Sequence, residues 1–160
     1  MRPKIVLLLL FFALTLFAQN PFKETRYIYA IDKTLLLEGY ITFGEKNIII
    51  EYTKPQPKVL TYFEGELSIQ DENGYTATQL HANSAMHYFF MIIKAIEENN
   101  DALLESFFTS KTNAQTTILE PKDIASQMVQ EVKITKNGNK LKSLHVELKN
   151  GDRITIETVD

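Results

Sequence analysis

Apolar residues recur at every second position in one segment after another, and that period fixes the class of fold open to the chain. Leu35, Leu37, Ile41 and Phe43 share one parity across Gly39, while Glu38, Tyr40 and Thr42 fall on the other. After a Gly44-Glu45-Lys46-Asn47 turn, Ile48, Ile50 and Tyr52 repeat the pattern, and Leu144, Val146, Leu148, then Ile154 and Ile156, repeat it near the end. Successive side chains point to opposite faces of a strand, so each segment has one oily face and one wet face. The chain has no cysteine. Without disulfides or thiolate metal sites, burial of those oily faces must hold the fold together.

Turn signals divide the pattern into strands. Residues 22–31 read as a first strand, although Asn20 before Pro21 also suits the start of a helix. Strands follow over 34–43, 48–53, 59–63 and 67–70, interrupted at Lys54-Pro55-Gln56-Pro57 and ended by Asp71-Glu72-Asn73-Gly74. The middle changes period. Asn83 or Ser84 can cap a helix carrying Met86, Phe89, Phe90, Ile93 and Ile96, with Tyr88, Met91 and Ile92 on its other faces. Asp101 opens a short second helix over 102–108, and Asp123 a turn of helix that stacks Ile124 on Met128. Strands return at 116–119, around Val132 and Ile134, and on either side of Asn150-Gly151. The expectation is a mainly β (α+β) fold: about nine antiparallel strands forming a half-open barrel, with helices across its mouth.

The first eighteen residues read as an export signal. Arg2 and Lys4 precede an apolar run from Ile5 to Phe17, and Ala18 is a small residue at the expected cleavage position. The competing reading is an uncleaved anchor, but the run has 13 residues where a spanning helix needs roughly 20. Residues 19–160 then form a single domain, expected to be soluble and monomeric in the periplasm. The net charge of −3 becomes −5 once Arg2 and Lys4 are removed. An acidic chain with no basic block is a poor match for nucleic acid.

Several segments resemble the periplasmic outer-membrane lipoprotein carrier family (LolA-like). They are Phe22-Lys-Glu-Thr-Arg26, Leu35-Leu-Leu-Glu-Gly39-Tyr-Ile-Thr-Phe43, Ile48-Ile-Ile-Glu-Tyr52-Thr-Lys-Pro55, Val59 to Leu67 with Gly65, Thr117-Ile-Leu-Glu-Pro121 and Asn150-Gly151-Asp152-Arg-Ile-Thr-Ile156. Their order and spacing carry the likeness, to a short, divergent member. The resemblance implies a half-barrel with a helical lid whose apolar cavity shields several acyl chains. It also implies a donor protein at the inner membrane and an acceptor at the outer membrane. Such carriers latch the lid through an arginine near the glycine-bearing strand; Thr34 to Gly39 contains none.

The candidate ligand-binding residues are Leu35, Leu37, Ile41, Phe43, Ile48, Ile50 and Tyr52 on the strands, and Met86, Phe89, Phe90 and Ile93 on the helix. The alternative for each is ordinary core. Glu38, beside Gly39, could orient a lid donor or simply face water. His81 and His87 are six apart, which does not put two metal ligands on one helix face. Ser84 and Ser106 have no base nearby and no glycine elbow. No catalytic residue, metal or cofactor is called for. The leading expectation is a non-enzymatic carrier of lipoprotein acyl chains or a related lipid. The alternatives are an envelope adaptor that docks a protein on its concave face and an enzyme acting on a lipid.

Overall fold

Every strand among the described residues joins one antiparallel sheet. The computed structural model describes residues 19–159; the export signal and its cleavage point lie outside the described residues. In chain order the elements are β1 (Gln19–Ile28), β2 (Lys33–Phe43), β3 (Asn47–Lys54), β4 (Lys58–Phe63), β5 (Glu66–Asp71), β6 (Gly74–Gln79), α1 (Ala85–Glu97), α2 (Asp101–Glu105), β7 (Phe108–Asn113), β8 (Thr116–Pro121), β9 (Val129–Asn137), β10 (Lys140–Leu148) and β11 (Arg153–Thr158). The sheet order is β6-β5-β4-β3-β2-β1-β11-β10-β9-β8-β7. Two meanders are joined where β1 pairs with β11, Phe22 opposite Thr158 and Glu24 opposite Ile156.

That order dictates where the helices go. β6 and β7 are the two edges of the sheet, and residues 80–107 connect them. The connection has to cross a face of the sheet. It crosses the oily one, because α1 offers apolar surface nearly all round: Tyr88 through Ile93, Ala95 and Ile96 are all buried. Ser84 caps the helix, its hydroxyl accepting from the His87 backbone N–H at 3.2 Å. Leu67 on β5 and Leu119 on β8 belong to the same core as α1. These two strands lie eight spacings apart, about 38 Å on a flat sheet, whereas a 13-residue helix is about 20 Å long. The sheet therefore curls around the helix. Phe90 stacks on Tyr62 of β4 at 4.6 Å between centroids, while α1 also packs against β10 on the other half.

The structure corrects the expected outline in three places. There are eleven strands among the described residues, not about nine. The two extra ones are the edges: β6 is exposed throughout, and β7 buries only Phe108. An edge strand with no oily face leaves no period-two signal. Phe108, expected to end the second helix, begins β7, and α2 stops at Glu105. Second, α1 does not lie across the mouth as a lid; it fills the concavity as core, with Phe90 and Ile92 fully buried. Third, Asp123–Gln127 is a 3-10 turn that leaves Ile124 exposed.

Gly39 marks a close approach of two strands. It faces Phe22 on one side and Tyr52 on the other, at an irregularity in the β2–β3 register. The rings of Phe22 and Tyr52 meet edge-on above it, 5.7 Å apart, covering the surface a side chain would otherwise occupy. A Cβ here would run into the Glu51 carbonyl oxygen and come within 2.9 Å of the Tyr52 Cα. Backbone cannot move aside as a flexible side chain can. Gly39→Val is expected to destabilise the protein by about 2–3 kcal/mol, read as a drop in thermal midpoint.

Candidate functional site

The concave face carries a filled centre, a buried ion pair and, at one end, a hollow. The hollow has a volume of about 490 Å³ and lies at the end of the sheet where β1 begins and β11 ends. Phe22, Ile41, Phe43, Leu141, Leu144 and Ile156 line it from the strands, and Ile93 and Ile96 from the last turns of α1. Asn20, Glu97, Asn139, Lys140 and Thr158 form its more polar border. The site thus has oily walls and a few polar groups at its opening, the usual composition of a small-ligand site. A second, more polar hollow of about 50 Å³ adjoins it at Phe43 and Glu97.

Strand geometry explains why the space lies there. Alternation aims Phe22, Ile41, Leu144 and Ile156 at the interior, and Leu144 lies directly opposite Ile156 in the β10–β11 pair. Toward the middle of the sheet the side chains of α1 fill the interior. Phe89 and Phe90 pack edge-on at 5.4 Å. One turn later the smaller Ile93 and Ile96 take the place of the rings, and the hollow lies against them.

Behind Phe22, on the same face of β1, lies a buried charge. Glu24 is 1% exposed. Arg26 Nε donates to its Oε1 at 2.8 Å, a second guanidinium nitrogen lies 2.6 Å from the same oxygen, and Tyr52 Oη donates to Oε2 at 2.6 Å. Both carboxylate oxygens are thereby satisfied, as a buried charge requires. Burial works against the charge on Arg26, but Glu24 and Tyr52 beside it outweigh that and hold the guanidinium above its ordinary value. Burial, reinforced by the Glu24 carboxylate, pushes the Tyr52 phenol well up, so it stays a donor. The cluster is self-satisfied structure; it presents no free acid or base to the hollow.

The candidate residues of the sequence reading are distributed unevenly. Ile41, Phe43 and Ile93 line the larger hollow. Ile48 borders the smaller one. Ile50, Tyr52, Phe89 and Phe90 are buried in the core away from both hollows, and Met86 and Leu37 pack against that core. Leu35 is half-buried opposite Arg26. Glu38 is on the surface, paired with Lys54 at 2.8 Å, which lowers its pKa. Sequence reasoning missed Phe22, Ile96, Leu141, Leu144 and Ile156 as lining. Their alternation was legible, but the pairing of β1 with β11 that gathers them was not. Among the described residues no group of three or more His, Asp or Glu side chains could hold a metal, and no helix is long and apolar enough to cross a membrane.

No protein-family model and no curated protein sequence matches the chain. Among solved structures, the chain is similar to a LolA superfamily protein, NE2245 from Nitrosomonas europaea. The match has 11% identity and a TM-score of 0.42, and covers 89% of this chain and 83% of that one.

The Glu24 cluster gives two expectations for Tyr52→Phe. Removing the hydroxyl leaves a buried carboxylate oxygen without its donor, at a cost of about 1–3 kcal/mol at neutral pH. Because the phenol's value is raised on folding, the folded state holds that proton more tightly than the unfolded chain, whose tyrosines titrate near pH 10. The resulting stability is complete below about pH 10 and is lost as pH rises beyond it. Urea melts at a series of pH values should show a flatter alkaline limb in the variant.

Proposed function

We propose that the protein is a periplasmic carrier that binds a lipid acyl chain in the hollow beneath the end of α1 and releases it to an acceptor. The observation that carries this reading is the largely apolar hollow of about 490 Å³ against the last turns of α1. Removing hydrocarbon from water stabilises a complex by about 0.8 kcal/mol per CH₂, and oily walls with a polar border fit a molecule with a greasy tail and a wet end. The reading is of binding without chemistry. Export across the inner membrane, a donor that loads the protein there and an acceptor at the outer membrane complete the proposal. They rest on the leader sequence and on the resemblance of the strand segments to the lipoprotein carriers.

Native purification followed by organic extraction and mass spectrometry tests the proposal. A co-purifying acyl compound supports it; absence of any lipid together with no binding of acyl probes overturns it. The larger side chain of Leu141→Trp, at the partly buried edge of the hollow, is expected to weaken binding of a fluorescent fatty-acid probe about tenfold, a loss of about 1.4 kcal/mol.

A second reading is an envelope adaptor that docks a protein. The observation in its favour is that α1 occupies most of the concave face. It predicts that Leu141→Trp leaves function in cells intact while probe binding is lost.

A further inference from the structure

We propose that the hollow accepts one acyl chain, not several, and that Phe22 at its inner end sets the chain length. This rests on the carrier reading and specifies its cargo. The volume of the hollow is about 490 Å³. A hollow of this size is what a single drug-sized molecule fills, so the space matches one acyl chain. Three chains, as on a fully acylated lipoprotein, would need about three times the room, and the rest of the concavity is closed by α1. The second hollow, at Phe43 and Glu97, is about ten times smaller, about 50 Å³.

The inner end is rigid for a physical reason. Lining stops at Phe22 on β1 and at Leu144 and Ile156 on β10 and β11; the next residues inward on the same face, Glu24 on β1, Val146 on β10 and Ile154 on β11, do not border the space. Phe22 is 2% exposed and its ring rests edge-on against Tyr52, which is itself fixed by its hydrogen bond to Glu24. A chain pushed past Phe22 would have to displace that ring and meet a buried ion pair. On the helix side the same limit appears: Ile93 borders the hollow, and Phe89, one turn earlier, does not.

Competition for a fluorescent fatty-acid probe tests this. The competitors are saturated fatty acids from octanoate to eicosanoate, a lysophospholipid, a diacyl phospholipid and a triacylated lipopeptide. One site per protein is expected. Each added CH₂ should tighten binding about fourfold until the chain meets Phe22, after which affinity should level off or fall. Both single-chain classes should compete, the tighter of the two naming the source of the chain, and the diacyl and triacyl compounds should be about tenfold weaker or worse. Phe22→Leu should move the levelling point to longer chains and Ile93→Phe to shorter ones, with folding checked by circular dichroism. An unbroken rise to eicosanoate, a levelling point that stays fixed in folded Ile93→Phe, or a triacylated lipopeptide that outcompetes every single chain overturns the proposal while leaving the carrier reading standing. Failure of every acyl compound, the probe included, overturns the carrier reading itself.

Discussion

The antiparallel pairing of β1 with β11 makes one sheet out of two meanders. Each half, β1 to β6 and β7 to β11, is built from neighbours in sequence. The contact between the two ends of the described chain makes them one sheet, and α1 packs against both. Once it forms, β6 and β7 become opposite edges, and the segment between them has no route except across a face. The position of α1, the curl of the sheet around it and the vacant space at one end all follow from that pairing.

The ion pair on β1 belongs to the same account. Glu24 lies directly between Leu37 of β2 and Ile156 of β11, so it is buried only because both neighbours are in place. A buried carboxylate is a poor source of net stability. Its contribution here is geometric: it anchors the Tyr52 hydroxyl, Tyr52 supports the ring of Phe22, and Phe22 forms a wall of the hollow.

Much of this architecture was legible in local pattern. The strands with one oily face were readable because they lie inside the sheet and cover a core. The helix was readable from the spacing of Met86, Phe89, Phe90 and Ile93, and its cap from Ser84. The edges were not, because Tyr75 to Gln79 and Thr109 to Asn113 bury almost nothing. The Asn73-Gly74 turn did imply a returning strand, and that signal was there to be used. Glu24 was invisible for a different reason: a charged residue between Lys23 and Thr25 looks solvated until its shared parity with Phe22 is weighed. The lining of the hollow depended on a contact between residues more than a hundred positions apart, which no local period encodes. Local pattern also could not separate a helix that covers a cavity from one that occupies it, since both need apolar residues on every side.

The hollow straddles the seam between the two halves: Phe22, Ile41 and Phe43 come from one meander, Leu141, Leu144 and Ile156 from the other. A guest seated there touches both banks at once. It acts as a rivet between segments that the chain itself joins through a single strand pair and the crossing helix. Anything that binds only the assembled form shifts the folding equilibrium toward it. On the carrier reading, loaded and empty forms would differ in cohesion at the seam, and departure of the guest would loosen the line where β1 and β11 meet.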